Sequence, residues 1–100
     1  MKIEKTGSAG TMESSDIHIT VEPNDETGIQ IFLKSPVIQQ FGEEIETVIS
    51  ETLSRMEIEN VIVRAIDKGA LNCTIEARVA SAVMRATNAS YNIWEVVSGV

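Results

Sequence analysis

The sequence contains one cysteine, one histidine, two prolines and four aromatic residues in 100, and no long apolar run. Cys73, being alone, cannot close an internal disulfide, and metal sites built on several thiolates are excluded. A reducing, cytoplasmic setting is the expectation. No segment approaches the ~20 apolar residues that a membrane span needs. Met1-Lys2-Ile3-Glu4-Lys5-Thr6-Gly7 lacks the apolar centre of a secretory signal. Basic residues are scarce too, with eight Lys/Arg against fifteen Asp/Glu and a net charge of −7. Phosphate backbones repel such a surface, which argues against nucleic-acid binding by charge. The first fifty residues hold three of the Lys/Arg and nine of the Asp/Glu. That acidity either keeps a small protein in solution or offers an acidic face to basic partners; composition leaves both open.

What is present suits one folded domain. The chain is 43% hydrophobic and 23% charged, within the globular range, and its length allows a modest core without staples. Residues 1–15 hold small, hydroxyl and charged side chains, with Ile3 and Met12 as the larger apolar ones and no periodicity; a flexible N-terminal arm is expected. Ile17–Glu22 alternates apolar and polar, as a half-buried strand does. Turn formers follow at Pro23–Gly28, and Ile29–Leu33 reads as a second strand, the hairpin partner of the first. Ser35-Pro36 signals a helix start. Ile38, Phe41, Ile45, Val48, Ile49, Leu53 and Met56 recur at helical spacing, with Glu43, Glu44 and Glu46 on the wet side and Glu51 set to pair with Arg55. Gly42 within the helix costs up to about 1 kcal/mol.

Val61–Ile66 reads as a third strand and Asp67-Lys68-Gly69 as a turn. Beyond it, Leu71, Ile75, Val79, Ala82 and Ala86 fit a helical stripe, while Leu71, Cys73, Ile75, Ala77 and Val79 also alternate with polar residues. β-branched Thr74 and Ile75 after a turn favour a strand to about Arg78, followed by a helix that Asn88 could end. The expected fold is α+β, a two-layer sandwich of order ββαββα, with an arm at 1–15 and one domain over 16–100. Tyr91 and Trp94 in the tail suit cover for the core edge.

No catalytic constellation emerges from the residues. His18 lacks a second histidine or cysteine for a dyad or a metal site. Cys73 falls on the apolar side of the expected strand, where a thiol behaves as a small hydrophobe. Lys68-Gly69 lacks P-loop spacing. The arm is unusual in carrying Ser8, Thr11, Ser14 and Ser15 where the core needs nothing. A frayed terminus explains this, and so does a modification site, since a hydroxyl that enters another enzyme gains from exposure.

Ala9-Gly10-Thr11-Met12-Glu13-Ser14-Ser15-Asp16 resembles the N-terminal attachment motif of the citrate lyase acyl carrier proteins, the γ subunits. The likeness continues through Gln40-Phe41-Gly42 and Asp67-Lys68-Gly69-Ala70-Leu71-Asn72-Cys73-Thr74-Ile75-Glu76-Ala77-Arg78 at the family's spacing. By that resemblance Ser14 holds phosphoribosyl dephospho-CoA, a phosphopantetheine-like group, through a phosphodiester. The next position, often glycine in the family, is Ser15 here, and Asn72 stands where aspartate is common. The resemblance implies a non-catalytic carrier of acetyl and citryl thioesters in citrate fermentation. Its partners are the lyase α and β subunits, a prosthetic-group transferase and an acetate-activating ligase; no nucleic acid or membrane is involved. A malonate decarboxylase-type acyl carrier and an interaction domain with a frayed N-terminus are the alternatives.

Overall fold

The computed structural model describes residues 2–87. Four strands and two helices follow in the order β1 (Gly7–Ala9), β2 (Ile17–Glu22), β3 (Ile29–Lys34), α1 (Ile38–Arg55), β4 (Val61–Asp67) and α2 (Asn72–Ala86). The fold is α+β as expected, but the order is βββαβα rather than ββαββα. The sheet runs β1-β2-β4-β3. β1 and β4 pair with β2 antiparallel, and β3 pairs with β4 parallel. β2 and β3 are therefore not hairpin partners, because β4 lies between them. Ile17, Ile19 and Val21 of β2 and Val61, Val63 and Ala65 of β4 are buried in one core with Ile45, Ile49 and Leu53 of α1 and Ile75, Val79 and Val83 of α2.

Two expectations fail for physical reasons. The segment 72–78 is helical, not extended. β4 is central, with both edges taken by β2 and β3, so no edge was free for a hairpin partner after the Asp67-Lys68-Gly69 turn. The helical stripe is the one that is buried, and Cys73 is exposed on the first turn of α2. Arg55 likewise reaches Glu76 of α2 at 3.4 Å instead of pairing with Glu51.

The second failure is the arm. Ile3, Gly7 and Ala9 are buried, and residues 7–9 form an edge strand on β2. The backbone N–H groups of Glu4 and Lys5 donate to the Ala86 carbonyl at 2.9 and 3.2 Å. Small residues are there because β1 packs against the backbone of α2. A Cβ on Gly7 would lie 2.5 Å from the Ala82 carbonyl oxygen and 2.7 Å from the Ala86 nitrogen. Close approach between backbones and disorder call for the same residue types, and composition cannot separate them. Only 11–15 form a continuous exposed stretch between β1 and the buried Asp16.

The Ser35 hydroxyl does not cap α1; the N-cap residue is Val37. It accepts from the Val37 N–H (3.2 Å) and donates to the buried Asp67 carboxylate (2.8 Å), which also accepts the Ala70 N–H (2.9 Å). The start of α1 is thereby tied to the end of β4. Asn88 and the tail with Tyr91 and Trp94 lie outside the described residues.

Gly7→Ala is expected to destabilise the chain by about 1–3 kcal/mol through overpacking, read as a lower denaturation midpoint. In the unaltered chain the ladder amides of residues 7–9 should exchange slowly with solvent.

Candidate functional site

Topology gathers three chain segments at one end of the molecule. The C-terminal ends of β3 and β4, the start of β2 and the N-termini of both helices all lie there. The segments are the ones on which the sequence resemblance rests: 9–16, 40–42 and 67–78. The stretch 11–15 crosses this end as a pinned loop. The Ser15 N–H donates to the Lys68 carbonyl (2.8 Å), the Lys68 N–H to the Asp16 carbonyl (2.9 Å), and the Asp16 N–H to the Glu13 carbonyl (3.2 Å).

Asp16 is the anchor. Arg78 grips its carboxylate with two parallel bonds, Nε to Oδ1 at 3.0 Å and Nη2 to Oδ2 at 2.9 Å. The Thr11 hydroxyl donates to Oδ2 at 2.7 Å and the Ile17 N–H to Oδ1 at 2.7 Å. A paired guanidinium and two further hydrogen-bond donors favour the charged carboxylate. The Arg78 hydrogen bonds, then those of Thr11 and the Ile17 backbone, hold its pKa far below the usual carboxylate range against the opposing effect of burial. Sequence reading quoted both residues without pairing them, since 62 positions separate them.

The backbone fits the same picture. Gly10 has φ +97°, and a Cβ there would collide with the Ile17 carbonyl; only glycine makes this bend. Ser15 has φ 66°, the left-handed region, which a glycine would adopt without the strain a serine bears.

Of the four hydroxyls of the arm, that of Thr11 alone is hydrogen-bonded among the described residues. Ser8 lies in β1, its carbonyl accepting from Arg85 Nη1 at 2.7 Å. The Thr11 hydroxyl is engaged by Asp16 and also accepts the Glu13 N–H. Ser15 is fixed by its N–H and its left-handed backbone. Ser14 is exposed, as are Ser8 and Ser15, and none of these three hydroxyls has a hydrogen-bond partner among the described residues. His18 sits half-buried on β2 opposite Ile66, outside this loop. Glu43, Glu44 and Glu46 are exposed on α1 as expected, Glu44 accepting from Asn72 at 3.3 Å. A hollow of about 730 Å³ lined by Ile3, Pro23, Asn24, Glu59 and Asn60 lies at the opposite end. No helix among the described residues is long and apolar enough to cross a membrane.

Comparisons with known proteins bear on this loop. A family model described as "ACP: Malonate decarboxylase delta subunit (MdcD)" matches residues 4–86. The citrate lyase acyl carrier protein of Lactiplantibacillus plantarum is 52% identical over 97 residues, covering 97% of this chain and 100% of that protein. The same-named proteins of Oenococcus oeni and Vibrio cholerae are 50% and 46% identical over 98 residues, each covered in full. Among solved structures, homoserine kinase from Cytophaga hutchinsonii shares the fold at a TM-score of 0.62 and 9% identity, over all of this chain and 44% of that one.

Two substitutions test the loop. Asp16→Asn should lower stability at neutral pH. The carboxylate's contribution is complete above the ordinary aspartate pKa of about 4 and fades as pH falls below it. The gap between variant and wild type should therefore narrow in strong acid, as read by denaturation from pH 7 down to pH 2. Ser15→Gly removes a left-handed penalty of about 1–2 kcal/mol against a smaller entropic loss. Its midpoint should equal or exceed that of the wild type.

Proposed function

Because the chain belongs to the family of citrate lyase acyl carrier proteins, we propose that Ser14 carries its prosthetic group, phosphoribosyl dephospho-CoA, through a phosphodiester on Oγ. As the acyl carrier subunit of citrate lyase the chain works within a complex and is not itself the catalyst. The matching family model takes its description from a malonate decarboxylase subunit. The full-length relatives are named for citrate lyase, and that sets the decarboxylase reading aside. It likewise sets aside an interaction domain with a frayed terminus.

The observation that supports the assignment is the exposed, unbonded Ser14 hydroxyl on a loop pinned at Thr11, Ser15 and Asp16. The Ser8 and Ser15 hydroxyls are exposed and unbonded too, and the choice of Ser14 among them rests on the family resemblance. Once attached, the group supplies a thiol on a long arm, on which the acyl unit rides as a thioester. This chain's residues do the rest. Asp16, Arg78 and Thr11 fix the loop, so the modifying transferase meets one preformed turn rather than a wandering tail. Taking up the Ser14 proton on attachment is assigned to that transferase. Both helix N-termini open at this end, without acidic residues in their first turns, and their dipoles favour the added negative charge.

In this reading the α chain exchanges acetyl for citrate on the carrier, and the β chain cleaves to oxaloacetate. An acetate-activating ligase primes the carrier, and all of this takes place in the cytoplasm. Tethering keeps the acyl unit at high local concentration for both chains.

Ser14→Ala should reduce citrate cleavage by the reconstituted complex to background, while Ser15→Ala keeps most of it. Full activity with Ser14→Ala would contradict the assignment.

A further inference from the structure

Four of the six large apolar side chains left exposed among the described residues lie at the Ser14 end. Met12 is 54% exposed, Ile38 45%, Phe41 48% and Leu71 70%. The other two lie elsewhere. Phe32 is on β3, already under the Arg64 guanidinium at 5.1 Å, and Arg64 pairs with Glu22. Ile29 opens β3 at the opposite end. Ile38 and Phe41 keep the helical spacing of the buried stripe, so the sequence predicts them in the core, yet the first turn of α1 projects past the sheet and leaves them in water. Single exposed apolar residues need no explanation. Four at the end that carries Ser14 are a candidate for a functional patch, which typically extends over on the order of a few hundred Å². Exposed Glu13, Glu43 and Glu44 lie at this end, with Lys34 and Lys68 as the exposed lysines.

We propose that Met12, Ile38, Phe41 and Leu71 form the docking surface for the catalytic subunits of the lyase, whose matching surface is an apolar hollow rimmed with Lys and Arg. The inference rests on the carrier reading of Ser14. Position supports it, because a group leaving from Ser14 enters the partner that covers this end. Charge supports it, because the exposed carboxylates at this end outnumber the lysines by three to two on a chain of net charge −7.

Cys73 offers a readout without substitution, being exposed two residues from Leu71. In the assembled complex its alkylation by a maleimide, followed by peptide mapping, should slow at least tenfold. The double variant Phe41→Ser/Leu71→Ser should still take the prosthetic group on Ser14 and melt cooperatively. Its apparent KM as carrier should rise at least tenfold, with kcat at saturation little changed, and the wild-type KM should rise with salt. Phe32→Ser should behave as wild type. Unchanged Cys73 reactivity with an unchanged carrier KM in the double variant would overturn the proposal. So would self-association of the isolated chain that the double variant abolishes, since that assigns the face to a second copy. Loss of the group from Ser14 in the wild type would instead overturn the carrier reading, and mass analysis distinguishes that failure from the others.

Discussion

The pairing of Asp16 with Arg78 is the contact on which the functional end of this molecule depends. It joins the start of β2 to the middle of α2, and through Thr11 it closes the loop that carries Ser14. Without it the loop keeps the backbone bonds to Lys68 and Glu13 and the two bonds of the Thr11 hydroxyl, and an aspartate at the core's margin loses its counter-charge. Breaking one side of such a pair costs more than the pair contributes, because the remaining group stays desolvated. Both halves lie within the segments that carry the family resemblance. Those segments are remote in sequence and adjacent in space because they jointly build one loop support.

The architecture divides labour accordingly. The sheet and the buried faces of the two helices provide rigidity, and the opposite end of the sheet holds the 23–28 turn, where Asn60 accepts from the Gly28 N–H at 2.8 Å. At the other end β2, β4 and both helices deliver polar anchors and exposed apolar side chains to the margin of a single hydroxyl. A carrier needs no catalytic constellation of its own, because the reactive chemistry travels on its prosthetic group. It needs a fixed point of departure and a face that partners can find.

Much of this was legible in the sequence where one periodicity was unambiguous. β2, β3, β4 and α1 announced themselves by alternation or by helical spacing over many residues. β1 was not legible, because Gly7-Ser8-Ala9 is small for the sake of contact with α2 and carries no apolar pattern. The start of α2 was not legible because 71–79 satisfies both periods, and only the occupied edges of β4 decide between them. Register was hidden too: β3 follows β2 in sequence, yet β4 separates them. At the site, chemistry alone left four hydroxyls equivalent, and resemblance singled out Ser14. The structure removes Thr11 from the set, its hydroxyl being bonded to Asp16, and leaves Ser8, Ser14 and Ser15 exposed. Asp16–Arg78 was invisible as a pair, since no local rule links residues so far apart.

The central claim is that the loop held by Asp16 and Arg78 exists to present the Ser14 hydroxyl for modification. The most direct measurement is intact-mass spectrometry with peptide mapping of the chain, co-produced with its prosthetic-group synthesis and transfer enzymes. The account predicts an added mass equal to phosphoribosyl dephospho-CoA, located on Ser14 alone. An unmodified chain, with the same enzymes active on a known carrier, or the group on Ser8, Thr11 or Ser15, would contradict it.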